Sequence, residues 1–203
     1  ILSPAGVQEV LDYALLGWAL SRYCGCWVGL KCVKDTIEVT SVVDGDPFRL
    51  NIVTPDDFAL PPDGLNIRLH DTPVAQEARL HDYKRFAAEA FARANRLDRR
   101  VHGKPGARIG IVSCGKSWLD TAHALDLLGI GAVEAERLGI TTYKVGMVWP
   151  LEADGVRRFA EGLEEILVVE EKRQLIEYQL KEELYNWRED VRPRVVGKFD
   201  EKG

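Results

Sequence analysis

A chain of 203 residues that is 46% hydrophobic and 29% charged carries enough apolar material for one sizeable α/β domain with an appendage, or for two small domains, and disorder is not its default. Its 32 acidic residues outnumber 27 basic ones, and the net charge of −5 excludes a general electrostatic footprint for nucleic acid. The apolar stretch over residues 5–20 holds Gln8, Glu9 and Asp12, which are costly at bilayer depth, so no membrane partner is expected. The chain opens on Ile1 without a basic, cleavable leader, and its only methionine is Met147; we expect a piece of a longer, cytoplasmic protein.

In chain order, Val7, Leu11, Leu15, Trp18 and Tyr23 recur near helical spacing and predict a helix over 3–23, with Ser3 and Pro4 as N-cap and first helical residue. The run "CWVGLKCV" reads as a short buried strand that continues ambiguously to residue 43. Residues 44–72, rich in proline and glycine, read as a connecting segment with one short strand at 50–53. Thr72 is placed to cap, and Pro73 to begin, a helix of about 25 residues whose last turns gather Arg93, Arg96, Arg99 and Arg100. Those cations complement the helix dipole, with an anion-binding patch as the alternative. After "GKPG" an alternation begins: strand 107–114, helix 117–128, strand 141–148, helix 154–163, strand 165–170, helix 175–185 and a last strand at 194–199. Such alternation implies a mainly parallel sheet covered on both faces.

Residues 110–117, "GIVSCGKS", match the phosphate-loop pattern G-x-x-x-x-G-K-[ST]. A phosphate loop needs its strand to end before the first glycine, yet Gly110 lies inside the apolar run "RIGIVSC". The expected alternative is a tight strand-to-helix turn in which Gly115 relieves the backbone and Ser113 or Ser117 caps the helix. Ser113, Gly115, Lys116 and Ser117 therefore stand as a candidate anion-binding turn, and a nucleotide hydrolase as an alternative function. Cys24, Cys26, Cys32 and Cys114 lack the paired C-x2-C spacing of a zinc or iron–sulfur site and read as structural thiols. No two of the four histidines lie at i, i+4.

The strings "VQEVLDYALLGWALSRYCGCWVGLKCVKDTIE", "LNIVTPDDFALPPDGLNIR" and "LVVEEKRQLIE" resemble the single-chain bacterial form of indolepyruvate ferredoxin oxidoreductase, within the thiamine-diphosphate-dependent 2-oxoacid:ferredoxin oxidoreductases. The resemblance covers nearly the whole chain. It implies that residues 1–43 are the end of a pyrimidine-binding thiamine domain, that 44–72 and 73–106 connect, and that 107–203 form a domain of the transketolase C-terminal type: a three-layer α/β/α sandwich with a mostly parallel five-stranded sheet. It also implies oxidative decarboxylation of an aryl pyruvate with coenzyme A and ferredoxin. Thiamine diphosphate, magnesium and iron–sulfur clusters are implied for the full-length enzyme only, since neither a G-D-G…N signature nor a C-x-x-C-x-x-C run occurs here, and no catalytic, cofactor-binding or metal-ligating residue is assigned.

The remaining candidate is Glu170-Glu171-Lys172-Arg173, at the carboxyl end of a strand where open sheets hold ligands. Glu170 or Glu171 is expected at the N-terminus of the following helix, with Glu177 and Lys181 paired on its exposed face and Ile176, Leu180, Leu184 and Trp187 inward. A contact with another domain of the polypeptide or with a second subunit is the other reading of this corner, and homodimerisation stays open. Three functions compete: a non-catalytic domain of the oxidoreductase, a nucleotide hydrolase and a free-standing interaction module.

Overall fold

Extended apolar runs flanked by glycines, and helical stripes between them, assemble into a five-stranded sheet of order β1-β3-β2-β4-β5 in the computed structural model, which describes residues 1–46, 48–200 and 202. The strands are β1 (Arg99–Arg100), β2 (Ile109–Cys114), β3 (Ile140–Val145), β4 (Glu165–Val169) and β5 (Arg194–Val196). Strands β3, β2, β4 and β5 are parallel, and β1 pairs antiparallel with β3 at one edge. The helices are α1 (Val7–Cys24), α2 (Lys34–Ile37), α3 (Pro73–Arg79), α4 (Arg85–Ala94), α5 (Gly115–Leu127), α6 (Ala132–Leu138), α7 (Ala153–Ala160) and α8 (Ile176–Leu184). From β2 the chain steps to β3 on one side, then returns across to β4 and β5 on the other. Right-handed crossovers therefore put α5 and α6 on one face and α7 and α8 on the opposite face. The expected mostly parallel α/β sandwich is what forms.

The core between the sheet and α7 and α8 is built from Val112, Val145, Ile166 and Val168 against Val156, Phe159, Ile176, Leu180 and Leu184. Each such side chain contributes about 1.5–3 kcal/mol by leaving water. A second cluster joins Tyr13, Leu16 and Leu20 of α1 to Ala87, Ala88 and Phe91 of α4, with Leu2, Leu97 and Met147. The two cores meet at the carboxyl end of β3. There Lys144, 2% exposed, forms an ion pair with Glu9 of α1, and burial pulls its ammonium down to about 8. One residue further, the amides of Gly146 and Met147 donate to Asp98 Oδ1 at 2.7 and 2.9 Å.

Several local expectations are corrected. Helix α1 begins at Val7 behind Gly6, not at Ser3, because the Ser3 amide is taken by the Gly146 carbonyl at 2.8 Å. The run at 26–33 is not a strand: it makes one parallel bridge, Leu30 with Leu2, which gives no ladder to extend. No strand forms at 50–53 either, because Val53 exchanges both backbone bonds with the Asn95 side chain at 2.8 Å. Thr72 does cap at Pro73, accepting from Ala75 at 3.2 Å, and helical winding continues through a wide turn at Leu80–Lys84 into α4. It stops at Ala94, since Arg96 takes a left-handed φ of 52° while the Leu97 amide bonds back to Ala92. Arg99 and Arg100 consequently lie in an edge strand and not in the last turn. Strand β1 and helix α6 were not anticipated. Glu177 is buried, not exposed, because its carboxylate also accepts the Lys198 and Phe199 amides.

Burial raises the Asp98 carboxyl to about 7, against the two amide bonds that favour its anion, and the nearby Glu152 charge adds to the rise. A folded pKa above the ordinary 3.8 contributes stability that is complete below 3.8 and lost as pH rises through about 7. Asp98→Asn keeps an oxygen for the two amides and carries no charge. It should melt above the parent at pH beyond 7, with the gap closing below pH 4; a gap independent of pH would contradict a buried, proton-linked Asp98.

Candidate functional site

The two sequence candidates converge. In an open parallel sheet, ligands bind beyond the carboxyl ends of the strands where the chain reverses its direction of winding. Here that point lies between β2, followed by Cys114, Gly115, Lys116 and Ser117, and β4, followed by Glu170 and Glu171. Gly115, Lys116, Ser117 and Glu171 line one crevice together with Ser3, Pro4, Lys31 and Thr36. Ser3, Pro4, Lys31 and Thr36 come from a distant part of the chain, and no periodicity in the sequence announces them.

The crevice is filled by the chain itself. Its free volume is about 20 Å³, the room of a single water molecule and too little for a phosphate. Gly115 has a φ of 52°, and a Cβ there would stand 2.7 Å from Ser3 Oγ, so this glycine meets both a left-handed turn and a close crossing of the amino-terminal segment. Neither serine caps α5: Cys114 is its N-cap residue, and no side-chain bond is made there. Ser113 Oγ is buried without a hydrogen-bond partner among the described residues. Lys116 is drawn along its own helix to Asp120, 2.7 Å away.

The phosphate-loop reading is corrected by the same geometry. Strand β2 runs through Gly110, which pairs with Thr141 and Ile166 in mid-sheet. A Cβ on Gly110 would come within 2.6 Å of Leu163 and 3.0 Å of Phe159, so the glycine serves helix packing. Only the turn after Cys114 remains, and it curls around no cavity.

The acidic corner splits into separate roles. Glu170 is 5% exposed, and its carboxylate accepts from the amides of Leu175, Ile176 and Glu177 at 2.8, 3.0 and 3.1 Å, which satisfies the orphan donors at the start of α8 and sets an anion on the positive end of its dipole. Glu171 turns to the filled crevice, while Lys172 (φ 64°) and Arg173 are exposed.

The thiols do not gather. Cys24 and Cys114 are buried and Cys26 and Cys32 partly so, and among the described residues no three His, Cys, Asp or Glu side chains are placed to hold a metal ion. Hydrogen bonding with Cys24 holds the Cys26 thiol at about 7 against burial, helped by the Lys84 ammonium, while Cys24 is driven up in return. Burial takes Cys114 up to about 11.

A family model of the indolepyruvate oxidoreductase domain matches residues 99–203, just over half of the chain and all five strands. The chain belongs to that family. Two curated relatives are called indolepyruvate oxidoreductase subunit IorA. The one from Pyrococcus abyssi is 26% identical over 187 residues, covering 89% of this chain and 27% of the relative. That from Thermococcus kodakarensis is 31% identical over 86 residues, covering 42% and 12%. The chain thus spans about a quarter or less of the length of these relatives. A solved structure of 2-oxoglutarate:ferredoxin oxidoreductase from Magnetococcus marinus, with 2-oxoglutarate, coenzyme A and succinyl-CoA bound, aligns at 18% identity and a TM-score of 0.40, over 82% of this chain and 26% of that one.

For this indolepyruvate oxidoreductase domain the two corner residues should separate in a urea titration. Glu170→Ala strips three amides of a charged acceptor and should cost about 2–3 kcal/mol, whereas Glu171→Ala and Lys116→Ala should leave the midpoint where it was. Equal losses at Glu170 and Glu171 would refute the capping role.

Proposed function

We propose that this chain is a non-catalytic structural and assembly domain of an oxidoreductase that oxidatively decarboxylates aryl pyruvates such as indolepyruvate to acyl-CoA with reduction of ferredoxin. On this reading residues 1–43 close a pyrimidine-binding thiamine domain, 44–106 connect, and 107–203 form the transketolase C-terminal-like unit. The enzyme works in the cytoplasm. The observation that carries the non-catalytic role is the filled crevice: the place where a sheet of this topology takes a ligand is closed by Ser3 and Pro4.

The iron–sulfur clusters implied for the whole enzyme do not fit the residues present. A four-cysteine cluster site would need the thiols together, and Cys114 lies at the end of β2 while Cys24 and Cys26 lie at the end of α1. Iron–sulfur chemistry therefore belongs, on this reading, to other parts of the polypeptide. Among the described residues no helix is long and apolar enough to cross a membrane.

The assembly role is supported by the outer face of α1. Leu11, Leu15 and Trp18 are 42%, 37% and 68% exposed, and Trp27 is fully exposed beside them. A groove of about 340 Å³ runs between Trp18, Trp27 and Leu30. An apolar patch of this kind marks a surface that another domain covers, and other domains of the same polypeptide fit a chain that spans about a quarter of its relatives.

Two measurements test this. The 203-residue chain with thiamine diphosphate, magnesium, indolepyruvate, coenzyme A and an electron-accepting dye should give no turnover, and its melting temperature should not move with the cofactor. Replacing Leu15 and Trp18 by glutamate should spare the melting temperature of this chain but weaken assembly of the full polypeptide. Turnover by the chain alone, or a full-length enzyme indifferent to both substitutions, would overturn the proposal.

A further inference from the structure

The arginines at the end of α4 converge with α7 on a second cavity that is neither filled nor accounted for by the assembly role. It has a volume of about 430 Å³ and lies at the β1 edge of the sheet. Arg96 reaches it from the left-handed turn after α4, Arg100 from β1 and Arg158 from α7. Among the described residues none of these three has a carboxylate within ion-pair distance, although the chain as a whole is acidic. Their neighbours behave differently: Arg93 is bound to Glu152 at 2.6 Å and to Asp57 at 2.8 Å, and Arg99 approaches Glu9 at 3.8 Å.

The cavity is built, not incidental. Arg100 is held by the Thr141 hydroxyl at 2.5 Å, by the Lys104 carbonyl at 3.2 Å and by stacking on Phe159, 5.0 Å to the ring centre. Its guanidinium is fixed in orientation, with donor capacity left over. Gly155 keeps the floor open, because a Cβ there would meet the Tyr143 hydroxyl at 2.6 Å and crowd the Glu152 carboxylate. Glu152, Asp98 and Glu161 also line the cavity: Glu152 caps α7 and pairs with Arg93, one oxygen of Asp98 takes the amides of Gly146 and Met147, and Glu161 is exposed at the rim.

We propose that this cavity binds a small molecule bearing a phosphate or diphosphate, of up to nucleotide size, through Arg96, Arg100 and Arg158. Guanidinium forks match phosphate oxygens two at a time. The concave shape, with Tyr143, Phe159 and Pro105 as an apolar side, suits a compact ligand better than the flat acidic surface of a protein.

Calorimetric titration with pyrophosphate and with ADP tests this, using citrate and a glutamate-rich peptide as competitors. At least one phosphate probe should bind the 203-residue chain saturably below about 1 mM, and Arg96→Ala with Arg158→Ala should weaken it by about tenfold per arginine removed. Both substituted side chains are exposed and carry no ion pair among the described residues, so the melting temperature should be kept, which separates lost binding from lost fold. Lys116→Ala should leave binding unchanged, since it belongs to the other crevice. No saturation with either probe, binding that survives the double substitution, binding lost with Lys116→Ala, or tighter binding of citrate or the acidic peptide would each overturn the proposal.

Discussion

The carboxyl end of β3 is the constraint on which the rest depends. Over four residues, from Lys144 to Met147, the chain receives Glu9 from α1, the Ser3 amide from the amino-terminal segment, and Asp98 from the turn after α4. A buried ammonium without Glu9 would cost several kcal/mol, and two amides without Asp98 would be left in a low-dielectric interior. Each contact is thus hard to remove singly. Together they hold the α1–α4 helical pair against the sheet, and by drawing Ser3 and Pro4 across Gly115 they also close the crevice between β2 and β4.

The proposed function rests on this closure. A sheet of this winding commonly offers its ligand site where the chain reverses direction, and here the same place is spent on attaching the amino-terminal segment. Elsewhere two surfaces stay open, the apolar face of α1 and the arginine-lined cavity at the β1 edge.

Much of the sheet was legible in the sequence, because the apolar runs around Val112, Val145 and Ile166 are bounded by glycines and separated by helical stripes. Gly110 could be rejected as a phosphate-loop glycine from those runs alone, and a glutamate at the start of α8 could be expected from its position after a strand, although only the structure chooses Glu170 over Glu171. What was not legible depended on distant partners. Ser3 looks like a helix cap until Gly146 is found to take its amide. Glu177 looks exposed until the chain returns at Lys198, and Arg100 looks like a dipole charge until the left-handed turn at Arg96 sends it into an edge strand. The arginine cavity was half visible: Arg93, Arg96, Arg99 and Arg100 cluster in sequence, but Arg158 and Gly155 join them only through the packing of α7.

The most direct test of the account is hydrogen exchange in increasing urea, followed at the amides of α1, of β2 and of Gly146 and Met147. If the carboxyl end of β3 joins both cores, all three groups should open with one free energy and one urea dependence, as a single cooperative unit. If α1 and α4 open at lower urea while β2 and β4 stay protected, the two cores are independent, and the junction at Lys144, Gly146 and Met147 does not have the role given to it.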